Sequence, residues 1–138
     1  MTRILRGVTV LATFLAGTAA ASAQSAGAQE YMNYCASCHG ESAMGDGPIA
    51  PLLTVDVPDL TKISERNDGE FPLLHVIQVI DGRTGIRGHG FPMPVWGSRF
   101  AAEAQAEAPP GAGPHYENEL LVRGRILALA LYLESIQE

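Results

Sequence analysis

Cys35-Ala36-Ser37-Cys38-His39 sets two thiols three residues apart and an imidazole directly after the second. Three chemistries use this spacing. A disulfide redox switch sits at the strand-to-helix junction of a βαβ unit, and no such pattern surrounds these residues. A structural zinc site needs four ligands, and the chain has no second cysteine pair. The third is thioether attachment of a haem c. Two thiols one helical turn apart reach the two vinyl groups on neighbouring edges of a porphyrin, and His39 follows beneath the iron. A group attached in this way cannot be lost, which suits a chain that leaves the cytoplasm.

A second axial ligand would come from Met44, Met93, His75, His89 or His115. Met44 is only five residues past His39, on the same side of the ring. His75 falls on the polar face of a helix whose stripe is Leu73, Val76, Ile77 and Ile80, and His115 belongs to a Pro- and Gly-biased stretch. Met93 stands in Phe91-Pro92-Met93-Pro94-Val95-Trp96-Gly97, where two prolines stiffen the backbone. A weak thioether ligand needs such a rigid loop, whereas a lone methionine elsewhere is core filler. Met93 is therefore the expected ligand, with His89 as the alternative. Haem propionates need donors. Trp96, Arg83, Arg87 and His89 flank the Met93 loop; Trp96, Arg83 and Arg87 are the candidate contacts, although the two arginines equally suit solvated loop positions. Phe71, Phe91, Val95 and Leu60 are candidates for an apolar shell.

The elements that must position these groups read as helices and loops. Arg3 and Arg6 precede an apolar stretch from Val8 to Ala20, followed by Ala21-Ser22-Ala23, a secretory leader with its cleavage pattern. The stretch is too short and too interrupted for a membrane span. Cleavage after Ala23 leaves a soluble domain over residues 24–138 and moves the formal charge from −6 to −8. A domain this acidic is no nucleic-acid binder, because phosphate contacts need a basic face. With about 115 residues and no long-range disulfide available, a bound group must supply part of the core.

Gly27, Tyr31, Tyr34 and Cys35 fall on one face of a first helix, and Gly40 to Leu60 reads as loop. A second helix starts near Asn67–Pro72 with Asp68 as its cap and stops at Gly82. Thr84 to Gly97 is loop. Residues 101–116 read as an exposed insertion with a helical first half. The longest helical pattern runs from Glu117 to Ile136, with Leu120, Leu121, Leu127 and Leu131 apolar; Gly124 within it predicts a close packing contact. No alternating run exceeds Thr54–Val57, so the domain is all-α.

These residues together resemble the class I cytochromes c, the mitochondrial-type and bacterial soluble monohaem family. Gly27 and Tyr31 match the family's first-helix pair, and Leu129 and Tyr132 the last-helix pair that crosses it. Gly47-Pro48 resembles the proline whose carbonyl accepts the imidazole N–H of the ligand histidine, here His39. Met93-Pro94-Val95-Trp96-Gly97 resembles the methionine loop of a bacterial subgroup. The resemblance implies a cytochrome c fold, with three to four helices and long loops around one covalently attached haem. It implies His39/Met93 ligation, periplasmic one-electron transfer between redox partner proteins, and no catalysis. Two alternatives are a haem subunit of a larger dehydrogenase or oxidase complex, and a gas-binding sensor. The helical-bundle sensors carry the motif near the C-terminus, whereas about 100 residues follow it here. Arg83, Arg87 and Arg99 are expected as a positive rim beside the haem edge.

Overall fold

The computed structural model describes residues 25–86, 93–109 and 116–138. The apolar leader, Arg87, His89, Phe91, His115 and the Pro110-Gly111 centre of the expected insertion lie outside the described residues. Helix α1 covers residues 25–34, and after a turn at Cys35 the four-residue α2 runs Ala36–His39. Helical bonding passes through the turn: Cys35 N–H donates to the Tyr31 carbonyl at 2.8 Å and His39 N–H to the Cys35 carbonyl at 2.9 Å. Gly40, at φ 82°, ends α2 in a backbone region that favours glycine.

The chain then folds back along α2. Gly45, Gly47 and Ile49 N–H groups donate to the carbonyls of His39, Cys38 and Ser37 at 2.8, 3.1 and 3.1 Å. Three 3₁₀ turns follow, at Ala50–Leu52, Leu60–Lys62 and Glu65–Asn67. Asp59 caps the second, its carboxylate accepting from Thr61 N–H at 2.8 Å and the Thr61 hydroxyl at 2.6 Å.

Helix α3, Leu73–Asp81, begins later than the sequence predicts. Asp68 is no cap; it sits at φ 55° and closes the third 3₁₀ turn. The residue before a proline disfavours helical backbone, so Phe71 holds the chain extended and Pro72 becomes the flanking position. Gly82 stops α3 as expected, left-handed at φ 66° with its N–H on the Gln78 carbonyl at 2.9 Å.

Helix α4, Trp96–Glu107, begins inside the loop expected up to Gly97 and corrects where that loop ends. The helical first half expected of the insertion is present; Phe100 and Ala104 face the core beside α5, while Ala102, Gln105, Ala106 and Glu107 are exposed. Alanine-rich composition favours helix, and the small side chains admit the neighbouring backbone. Ala108 is extended, as the residue before Pro109 prefers.

Helix α5, Tyr116–Ser135, buries Val122, Ile126, Leu129, Ala130 and Leu133, one stripe at helical spacing. Leu120, Leu121 and Leu127, apolar members of the same helical pattern, are exposed. The helix is apolar on most sides, so periodicity leaves its inner face open and contact with α1 decides it. At that crossing a Cβ on Gly27 would collide with the Ala128 carbonyl, and Tyr31 meets Tyr132 with ring centroids 5.3 Å apart. Among the described residues, nothing beyond its own helix backbone and chain neighbours lies within 4 Å of a Cβ added at Gly124, so the packing contact expected there is not found.

An ion network joins α1, α4 and α5. Arg125 donates to both Glu30 carboxylate oxygens at 2.9 Å and to Glu103 at 3.1 Å, while Tyr34 donates to the same Glu103 oxygen at 3.1 Å. The guanidinium lies over the Phe100 ring at 3.8 Å.

Opposite outcomes are expected at the two helical glycines. Gly27→Ala forces α1 from α5 and destabilises by about 2 kcal/mol, within the range for overpacked cores. Gly124→Ala stabilises by about 1 kcal/mol through helix propensity alone. Denaturant midpoints of the two variants check this, and equal midpoints would contradict the crossing.

Candidate cofactor site

A cavity of about 320 Å³ lies between α1–α2, the loop before α3, α3 and the start of α4. Cys35, Cys38 and His39 form one wall, and Met93, Pro94 and Trp96 lie on its edge. Aliphatic side chains from three further elements complete it, among them Val57, Leu60, Val76, Ile80, Leu129 and Leu133. Most of the lining is apolar, which keeps a bound ring dry.

Both cysteines are free thiols, half-buried. Burial pushes the Cys35 thiol up to about 12, with negative charge at Cys38 and Glu30 adding to it. At neutral pH Cys35 is therefore protonated and a poor thiolate nucleophile. His39 is buried, and its Nδ1 faces the Pro58 carbonyl oxygen at 3.4 Å. A carbonyl only accepts, so this contact assigns the proton to Nδ1 and the lone pair to Nε2.

The proline expectation is thereby corrected. Pro48 is exposed, because the Gly45–Ile49 backbone bonds lay that stretch on the outside of α2. The chain returns beneath the imidazole ten residues later, and Pro58 supplies the carbonyl. Gly47 is required for the close approach: a Cβ there would collide with the Cys38 carbonyl.

Trp96 reaches the cavity with its ring edge-on to Tyr34, centroids 5.4 Å apart. Arg83 does not; its guanidinium is bound to Asp81 and Glu119 at the end of α3. Arg87 lies outside the described residues. The two described members of the expected positive rim are both paired, Arg99 with Glu103 at 2.7 Å and Arg83 with two carboxylates. Of the shell candidates, Leu60 lines the cavity, Phe71 packs on the core, and Val95 turns towards Gly82. Met44 is exposed.

Sequence reasoning missed Arg66 and Pro58 on the cavity wall and set His75 aside. Arg66 donates to the Asp59 carbonyl at 2.7 Å, and no local motif marks it. His75 is solvent-exposed as its helix face predicts, yet it borders the cavity because the opening runs beside α3.

The donor set fits an iron porphyrin. Thiols one turn apart suit the vinyl groups, a nitrogen and a sulfur donor suit iron, and Arg66 and Trp96 suit carboxylates. The model of the cytochrome c family matches residues 24–136. No curated protein and no solved structure matches the chain. The family implies a haem c with its iron, electron transfer and redox partners, and the all-α architecture and the cavity beside Cys35–His39 accord with it. The chain belongs to the cytochrome c family.

Proposed function

We propose that residues 24–138 act in the periplasm as a one-electron carrier. One haem c is attached through Cys35 and Cys38 and ligated by His39 and Met93. One observation carries this reading: both thiols, the imidazole and Met93 line a single apolar cavity. When bound, the haem supplies a one-electron iron couple.

The chain's own residues set how that couple behaves. The carbonyl of Pro58 orients the His39 ring and raises its basicity. Met93 contributes a soft, neutral thioether, which favours reduced iron and raises the potential relative to two nitrogen ligands. His39 and Met93 would together hold the iron with protein donors and leave no position for a substrate, which supports electron carriage over catalysis. Val76, Ile80 and Leu129 give the cavity an apolar lining that would exclude water from a bound ring. Arg66 and Trp96, both on the cavity lining, would supply donors to the propionates, whereas Arg83 is held away by Asp81 and Glu119. Partner proteins then exchange electrons where the cavity opens at the surface.

Export rests on the leader, with Arg3 and Arg6 before the apolar stretch and Ala21-Ser22-Ala23 after it. Among the described residues no helix is long and apolar enough to cross a membrane. We read the cleaved form as soluble.

Two measurements test this function. The intact mass of the exported protein should equal residues 24–138 plus one haem, and a mass retaining Met1 to Ala23 rejects the cleavage. Oxidised wild type should show the weak near-infrared sulfur-to-iron band. Met93→Ala should lose that band, lower the potential and bind carbon monoxide when reduced. Persistence of the band in Met93→Ala would remove Met93 as ligand and turn attention to His89.

A further inference from the structure

The segment from Met93 to Gly97 has two faces. Met93, Pro94 and Trp96 line the cavity. Val95 and Gly97 turn the other way, onto the end of α3. A side-chain carbon on Gly82 would stand 3.4 Å from the Val95 Cα and Cγ1. One on Gly97 would collide with the Asp81 carboxylate and the Arg83 guanidinium. Backbone thus lies directly on an ion pair, two to four residues from Met93.

That ion pair is fixed from several sides. Arg83 Nε donates to Asp81 Oδ1 at 2.6 Å and Nη2 to Asp81 Oδ2 at 2.8 Å. Nη1 and Nη2 also donate to Glu119 on α5, at 2.8 and 3.1 Å. Glu119 in turn accepts from Arg123 at 2.7 Å. The planar guanidinium bridges two carboxylates as an ammonium does not. Arg83 and Arg123 hold the Glu119 carboxyl down to about 2, and Arg83 lowers Asp81, so both acceptors stay charged at neutral pH.

We propose that Asp81, Arg83 and Glu119 form a clamp that holds the Val95–Gly97 backbone and so keeps the Met93 thioether at the cavity. The inference rests on Met93 as axial ligand. A thioether binds iron weakly, so its geometry must come from the protein scaffold. These are positioning residues; none of the three lines the cavity. An ion pair serving only global stability would weaken the whole domain together, whereas a clamp releases the methionine before the helices melt.

The test uses oxidised holoprotein titrated with denaturant, following the near-infrared sulfur-to-iron band beside far-ultraviolet helix signal. Imidazole, which must displace the methionine, is the second probe. Arg83→Met should lose the band at lower denaturant than its helix signal and bind imidazole roughly tenfold tighter, about 1.4 kcal/mol. Arg83→Lys should fall between it and wild type. Gly97→Ala should behave like Arg83→Met by pushing on the clamp from the other side. The double variant should be no worse than either, since Asp81, released from the guanidinium, can turn away from the added methyl. If Arg83→Met yields no holoprotein, Gly97→Ala carries the same comparison. Lys62→Met, whose partners Glu65 and Glu138 lie away from the segment, is the control. Loss of band and helix together in Arg83→Met and Gly97→Ala, with imidazole affinity equal to the control, overturns the clamp alone. A wild type without the band, or a Met93→Ala variant that keeps it, overturns the ligand reading and the clamp with it.

Discussion

The absence of a side chain at Gly27 lets α1 lie directly against the Ala128 carbonyl of α5, and the rest of the structure follows from that contact. It sets the depth at which Tyr31 enters the core, where its hydroxyl donates to the Gly40 carbonyl at 2.7 Å. Tyr31 and Gly40 bracket the Cys35–His39 turn. The segment that carries the reactive groups is therefore held at both ends by one buried side chain. A wider helix crossing would move Tyr31, and with it both thiols and the imidazole.

Beyond that crossing, polar networks place what hydrophobic burial leaves free. Burial is non-directional and fixes which faces turn inward, but not the azimuth of a loop. Glu103 ties Tyr34 and Arg125 to α4, so that helix meets the residue next to Cys35. The Gln137 side chain and the Glu138 backbone amide bind the loop at the Leu60 and Thr61 carbonyls, tying the C-terminal residues to the segment that carries Leu60 on the cavity wall. Asp81, Arg83 and Glu119 do the same for the start of α4. Each network joins elements distant in sequence, which makes the cavity walls rigid with respect to one another.

The same pairing shapes the surface. Every described arginine and Lys62 has a carboxylate or carbonyl partner, so the acidic chain shows no unopposed patch of arginines among the described residues. Arginines clustered in sequence near Met93 do not cluster in function: one braces a helix end and another caps a neighbouring carboxylate. Charge counted along a chain says little about local field, because partners arrive from other elements.

Local chemistry was legible in the sequence because it depends on spacing alone. Cys35, Cys38 and His39 fall within about one turn wherever their segment is helical, as it is here, and the stop at Gly82 follows from glycine's access to left-handed backbone. The Gly27–Tyr31 and Leu129–Tyr132 pairs came from resemblance, and their crossing gives the resemblance its geometry. Tertiary structure decided whatever depends on a partner far along the chain. Pro58, not Pro48, meets His39, because backbone bonds to α2 pin the intervening loop outward. Arg83 turned from a propionate to Asp81 and Glu119, and α5 buried Val122 and Ile126 in place of Leu120 and Leu127. Side chains three or four apart share a face once their segment is helical; which face turns inward, and which carbonyl comes within reach, is settled only when the helices pack.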